Sequence, residues 1–475
     1  MTPPASPAAS PAAQLPATPR LASAIAAGDI SAREALDACL QRIAASDLRV
    51  NAFTGHTFER ARREADAVDA MRSAGAVLPP LAGVPYAVKN LFDVQGEVTL
   101  AGSKVNQKNA AASHDAFLVT QMQRAGAVLV GMLNMDEYAY GFTTENTHFG
   151  PTRNPHKLSC TAGGSSGGSG AAVAAGQVGV ALASDTNGSI RVPSSFCGVW
   201  GLKPTFGRLS RRGSYPFVHS IDHLGPLADS VEGLALAYDA LQSPDPIDPG
   251  CHAKRVQPIN AVRSSGIKGL RIARLSGYFD AYSTPAAARA SAQAAAALNA
   301  TATTLWPDAA LARAAAFITT ASEGGRLHLA DLRTQMQDFE PLSVDRFLAG
   351  ALQPAAWYLR AQQFRRVYRE RVLALFQDWD VLIAPATPLS APEIGAQWLD
   401  INGEQYPCRP SIGLLTQPIS YSGCPVVTAP MWPGSNGELP IGVQLIAAPW
   451  REDLAVRAAQ VLQDSGVAHL KSVNL

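Results

Sequence analysis

Residues 160–193 read Cys-Thr-Ala-Gly-Gly-Ser-Ser-Gly-Gly-Ser-Gly-Ala-Ala-Val-Ala-Ala-Gly-Gln-Val-Gly-Val-Ala-Leu-Ala-Ser-Asp-Thr-Asn-Gly-Ser-Ile-Arg-Val-Pro. Glycine and serine alone fill positions 163–170. The pattern predicts a small-residue helix over Ala171–Ala175 and a buried strand over Val178–Ala183, which ends at Asp185-Thr186-Asn187-Gly188-Ser189. Pro193 predicts a second helix start, where its missing N–H costs nothing.

A helix opening near Ser189 leaves its first backbone N–H groups without partners inside the helix. Gly188 lets the chain turn tightly enough for several of them to converge. Such a cluster suits an anion, or the oxygen that becomes negative when a carbonyl is attacked. A serine hydroxyl within it is a candidate nucleophile. It needs a base, because an unassisted hydroxyl is weak at neutral pH.

Gly163-Gly164-Ser165-Ser166-Gly167-Gly168-Ser169, Ser184-Asp185-Thr186-Asn187-Gly188-Ser189-Ile190-Arg191 and Cys197-Gly198-Val199-Trp200-Gly201-Leu202-Lys203-Pro204-Thr205 resemble the amidase signature family. The likeness extends to Leu81–Asn90, Gly150–Pro155, Gly423-Cys424-Pro425 and Leu439–Gln444, and is thin over 250–375. Residue by residue, it implies Ser189 as nucleophile, Ser165 as a bridging serine on a cis peptide, and Lys89 as base. It implies an oxyanion hole of Thr186, Asn187, Gly188 and Ser189, with no cofactor and no metal. Lys89 follows the apolar run Val84–Val88, and burial there would lower its pKa toward usefulness as a base.

Within the family, the 185–189 turn and Gly201–Tyr215 resemble members that cleave small ureide-type amides such as 1-carboxybiuret, in cyanuric acid breakdown. Those members release ammonia and work with a small helical partner protein; a homo-oligomer stays open. The rival is the glutaminase component of tRNA-dependent amidotransferases, which shares Asn134-Met135-Asp136-Glu137 and Thr144-Glu145-Asn146. Asn187 stands where many members have glycine, so its amide could donate to a small polar substrate. Arg191 could bind a substrate carboxylate, although a fold-internal role is preferred. Arg326 and His328 are weak candidates for substrate contact, with a helix-surface role preferred.

Other readings compete. Gly164-Ser165-Ser166-Gly167-Gly168 satisfies the G-x-S-x-G elbow of α/β-hydrolases, which would use Ser166 with His328 or His469. That elbow needs a strand before it, and 154–159 reads as none. A scaffold would not need Lys89, Ser165 and Ser189 together. Ser169 by default fills a turn, and Asp185 holds the 185–189 turn by local hydrogen bonds. No G-K-[ST] follows the glycines, which argues against a phosphate cradle.

Composition agrees. The 475 residues are 47% hydrophobic and 16% charged, enough for a large core, and the net charge of +1 gives no pull toward nucleic acid or membrane. Six cysteines without a CxxC pair read as reduced thiols of a cytoplasmic protein. No run of about 18 apolar residues spans a membrane. The expected domains are a disordered Pro/Ala-rich tail over 1–19 and one unit over 20–475, with its catalytic core near 80–225.

Further elements are expected along the chain. Ser31-Ala32-Arg33-Glu34 is a capping box opening a helix to about Ile43. Helices are predicted over 58–71, 117–125, 286–298, 357–372 and 453–463. Strands are predicted over 84–88, 127–132, 381–385 and 442–447. The alternation predicts an α/β fold, a mixed twisted sheet with helices on both faces.

Overall fold

The computed structural model describes residues 16–434 and 438–475. Its centre is an 11-stranded sheet. In chain order the strands are β1 (Phe53–His56), β2 (Pro85–Lys89), β3 (Val128–Leu133), β4 (Val180–Asp185), β5 (Trp200–Lys203) and β6 (His223–Ala228), followed by β7 (Ile272–Ser276), β8 (Ala302–Leu305), β9 (Val381–Pro385), β10 (Val426–Met431) and β11 (Ile441–Ala447). Across the sheet they run β1-β3-β2-β4-β6-β5-β10-β11-β9-β7-β8. β3, β2 and β4 are parallel neighbours, as are β9, β7 and β8; the remaining pairs are antiparallel, so the sheet is mixed.

Both faces are covered, and strand periodicity shows how. Tyr86, Val88, Val180 and Leu182 enter one apolar core, while Ala87, Ala181 and Ala183 enter a second on the opposite face. Alternation along a strand sends neighbours to opposite sides. Every residue of β2, β3 and β4 is buried, as strands covered on both faces require. Ala35, Leu36 and Ile43 of the helix Ala32–Val50 line the second core; Leu234 and Tyr238 of Val231–Leu241 line the first.

The capping box forms as expected: the Ser31 side chain accepts from the Glu34 N–H, and Glu34 reaches back to the Ser31 N–H. The helix runs on past Ile43 to Val50. The tail expected over 1–19 lies mostly outside the described residues, and its end needs correction. A helix starts at Thr18, where N–H and Oγ1 donate to Asp229 Oδ2 at 2.7 and 2.9 Å, and Leu21 and Ile25 are buried. The stretch expected to be strandless is also corrected: Lys157–Thr161 is a short strand paired with Arg153–Asn154 in a hairpin outside the main sheet. Among the described residues, no helix is long and apolar enough to cross a membrane.

Candidate active site

Two parallel neighbours build the site. β2 and β4 pair with Val88 opposite Leu182, and just beyond that pairing, at the strands' C-terminal ends, Lys89 Nζ comes within 2.9 Å of Ser184 Oγ. Lys89 is completely buried. Its Nζ donates to Ser165 Oγ at 2.6 Å, Ser184 Oγ at 2.9 Å and Ser166 Oγ at 3.0 Å. Burial pulls the amine down to about 7, against the opposing pull of Asp136, Asp185 and Asp222. An amine so placed is neutral for much of the time near neutral pH, and neutral amines accept protons.

The peptide Gly164–Ser165 is cis. Glycine at 164 has a steric reason, because a Cβ there would meet Asp136 Oδ2 at 2.1 Å. Asp136 in turn accepts the Thr144 N–H at 3.0 Å, and Thr144 Oγ1 donates to Gly163 O at 2.9 Å and accepts the Gly167 N–H at 3.0 Å, which ties the 134–146 stretch to the serine-rich loop. Tyr140, Gly141 and Phe142 of that stretch line the narrow cavity in which Ser189 sits.

β4 ends at Asp185, and the helix Arg191–Cys197 follows a five-residue loop. Gly188 has φ +142°, and a Cβ there would meet Thr416 Oγ1 at 2.2 Å. Thr416 Oγ1 donates to the Asn187 carbonyl at 2.7 Å and so fixes the turn. Among the described residues, the N–H groups of Thr186, Asn187, Gly188 and Ser189 donate to no protein acceptor. Four successive unpaired donors beside a serine form a ready anion site. Ser189 is 2% exposed, and its hydroxyl makes no hydrogen bond among the described residues.

Residues 34–456 match the family model described as Amidase. The chain belongs to the amidase signature family. One curated relative of this amidase is AtzE of Pseudomonas sp. (strain ADP), a component of 1-carboxybiuret hydrolase, which is 66% identical over 96% of this chain and 99% of its own length. A more distant one, from the glutamyl-tRNA(Gln) amidotransferase of Moorella thermoacetica, is 36% identical over 94% of this chain and 96% of its own. Among solved structures, a protein complex described as revealing the evolutionary origins of an s-triazine catabolic enzyme matches with TM-score 0.95 and 66% identity, over 96% of this chain and 100% of that one. A 6-aminohexanoate cyclic dimer hydrolase complexed with substrate matches with TM-score 0.83 and 31% identity, over 94% of this chain and 96% of that one. Enzymes of this family hydrolyse C–N amide bonds, and this amidase is one of them.

Of the two candidate substrate contacts of the amidase, Arg191 takes the fold-internal role preferred from the sequence and Asn187 changes character. Arg191 is fully buried, and all five of its donors are taken inside the fold. Nε and Nη2 hold Asp185 at 2.9 and 3.0 Å, Nη1 reaches Thr416 O and Gln444 Oε1, and Nη2 also reaches Ser420 Oγ. It cannot meet a substrate carboxylate. Asn187 does line the cavity, but its Nδ2 donates to Thr320 Oγ1 at 2.9 Å, and its buried Oδ1 has no partner among the described residues. It therefore offers an acceptor, not the expected donor. Asp185 accepts the Ile190 N–H at 3.2 Å, the turn-holding role read from the sequence. Burial raises its carboxyl, but the Arg191 guanidinium outweighs that and holds it below the usual range.

The α/β-hydrolase reading finds no histidine at Ser166, whose Oγ donates to Ser184 O at 3.2 Å. His328 is not on a helix surface but fully buried, its ring 3.9 Å from that of Tyr138. Arg326 and His469 are exposed; Ser169 fills no turn but lies in the helix Gly167–Ala174, where its Oγ donates to Leu182 O at 3.2 Å. The cavity residues Phe217, Phe317, Thr320, Arg346, Pro410 and Gln417 escaped the sequence reading. Arg346 has no carboxylate partner within ion-pair reach among the described residues; its guanidinium lies 5.5 Å over the Tyr140 ring. Phe317, Thr320 and Arg346 lie in the region where the family likeness is thin, so no motif marked them.

Proposed function

We propose that this amidase hydrolyses a small carboxylated ureide of the 1-carboxybiuret type and releases ammonia through an acyl-enzyme on Ser189. The observation that carries the proposal is Lys89 Nζ, buried and 2.6 Å from Ser165 Oγ, beside a loop of four unpaired N–H groups. Neutral Lys89 takes the Ser165 proton while Ser165 takes that of Ser189. The alkoxide attacks the substrate carbonyl, and the N–H groups of Thr186, Asn187, Gly188 and Ser189 hold the oxygen as it turns negative. Collapse breaks the C–N bond, and the same relay run backwards protonates the departing ammonia. Water, activated by the relay, then cleaves the ester and frees Ser189.

The cavity's chemistry favours this substrate class. A ureide offers N–H groups to the unpaired Asn187 Oδ1, and its carboxylate suits Arg346, which no protein carboxylate neutralises among the described residues. Kinship at 66% with AtzE, against 36% with the amidotransferase relative, points the same way. AtzE is named as one component of its hydrolase, and the matching structure is a complex; both support a small partner protein for this chain as well. Six unpaired thiols fit a cytoplasmic enzyme. The test is ammonia release from 1-carboxybiuret, biuret, allophanate, oxalurate and glutamine. The expected outcome is fastest release from 1-carboxybiuret and none above background from glutamine; the reverse order would overturn the proposal.

A further inference from the structure

The oxyanion loop is held from outside by a carboxylate that no motif marks. Thr186 Oγ1 donates to Asp222 Oδ1 at 2.6 Å. The other oxygen, Asp222 Oδ2, accepts the N–H groups of Phe217 and Val218 at 2.9 and 2.8 Å. Burial raises the Asp222 carboxyl, opposed by these hydrogen bonds, with the Thr186 hydroxyl foremost. Phe217 lines the cavity that holds Ser189, so one carboxylate joins the first N–H of the oxyanion loop to a wall of the site.

The 217–222 loop is itself anchored. Ser220 N and Oγ donate to Glu323, at 3.1 and 2.5 Å, and Arg365 Nη1 donates to Ser220 O at 2.8 Å. Glu323 lies on the helix Ala309–Leu327, which also brings Thr320 to Asn187. The loop is thus braced at two successive residues, Thr186 through Asp222 and Asn187 through Thr320. Both braces lead to one helix.

We infer that Asp222 is a positioning residue, which through the Thr186 hydroxyl sets the direction of the first oxyanion donors. A donor array helps only where it is already aimed at the developing charge, and a displacement of about 1 Å can cost on the order of 10²-fold in rate. Asp222 hydrogen-bonds neither Ser189 nor Lys89, but its charge pulls the Lys89 amine upward, so Thr186→Val, which leaves that charge in place, isolates the positioning effect. The inference rests on the amide-hydrolase reading above.

The test compares Thr186→Val, Thr186→Ser, Asp222→Ala and their combinations by steady-state kinetics and by the rate of fluorophosphonate labelling of Ser189. Labelling builds charge on the same oxygen site and needs no knowledge of the substrate. Thr186→Val keeps shape and removes the donor; it is expected to lower kcat and labelling by about 10–100-fold with KM changed less than about threefold. Thr186→Ser is expected to recover most of that loss. Thr186→Val/Asp222→Ala is expected to be no worse than the poorer single variant, since both remove one contact. Wild-type labelling rates in Thr186→Val, losses confined to KM, or fully additive losses would overturn the inference. If Asp222→Ala does not fold, the Val/Ser pair at 186 decides alone. A wild-type enzyme that labels at Ser189 but turns over no amide of the panel would defeat the substrate reading and leave this comparison intact.

Discussion

Two lysines are completely buried in this amidase, and only one sits where chemistry can follow. Lys89 ends β2 and Lys203 ends β5; burial pulls both amines down to about 7. Lys89 Nζ donates to three hydroxyls. Lys203 Nζ donates to two carbonyls, Pro204 O at 3.2 Å and Cys424 O at 2.5 Å. A hydroxyl can give up its proton to a neutral amine and take one back, whereas a carbonyl only accepts a hydrogen bond. The depressed pKa is common to both, so under the proposed mechanism it is the partners that single out Lys89 as base.

The sharpest way to break this comparison is substitution of each amine by an apolar side chain of similar length. Lys89→Met is expected to lower kcat/KM by about 10³–10⁴-fold, the range of a lost acid–base group, while the protein stays folded. Lys203→Met is expected to keep kcat/KM within about tenfold per folded molecule and, near pH 10 where keeping the amine neutral costs little, to lower the unfolding midpoint, since two buried carbonyls lose their donor. Equal losses of activity in both variants would dissolve the distinction.

Between the two lysines lies the Asp185–Arg191 pair, whose charges act on Lys203. Arg191→Met leaves Asp185 buried without its cation, so a loss of about 3–5 kcal/mol in denaturant unfolding is expected, larger than that of Lys203→Met. A smaller loss would mean that the pair braces the Ser189 loop less than its geometry implies.

The most gradual expected effect is on stability against pH. Lys203 ordinarily titrates near 10.5 and in the fold near 7. Between those values the unfolded chain holds the extra proton, so this residue makes stability rise with pH by up to about 1.4 kcal/mol per unit. Lys203→Met should flatten the rise by that slope between pH 7 and 10; an unchanged slope would show that Lys203 is charged in the fold.

The same contrast explains what was legible in the sequence. The 185–189 turn was readable because a glycine-rich turn is a local signal, set by backbone geometry within a few residues, whereas Lys89 and Ser165 received their proposed roles only through the family resemblance. The buried strands β2, β3 and β4 were readable because burial on both faces demands unbroken apolar runs. Arg346, Phe317 and Thr320 were not, since they reach the cavity from helices inserted between β8 and β9 and no local pattern says which way they face. The reach of Arg191 to Thr416, Ser420 and Gln444 spans more than two hundred residues, so only the folded chain could show that its donors are taken. The helix Thr18–Ala27 was hidden by a composition that equally suits a tail.

The account depends most on an uncharged Lys89 drawing the proton, through Ser165, from Ser189. The direct measurement is the second-order rate of fluorophosphonate labelling of Ser189 across pH 5–9, in a Lys203→Met background so that only one buried amine titrates. The predicted result is a rate that rises with loss of a single proton near pH 7 and then levels, with labelling confined to Ser189, and a flat, far slower profile once Lys89→Met is added. A label on a different serine, or the same rising profile without Lys89, would contradict it.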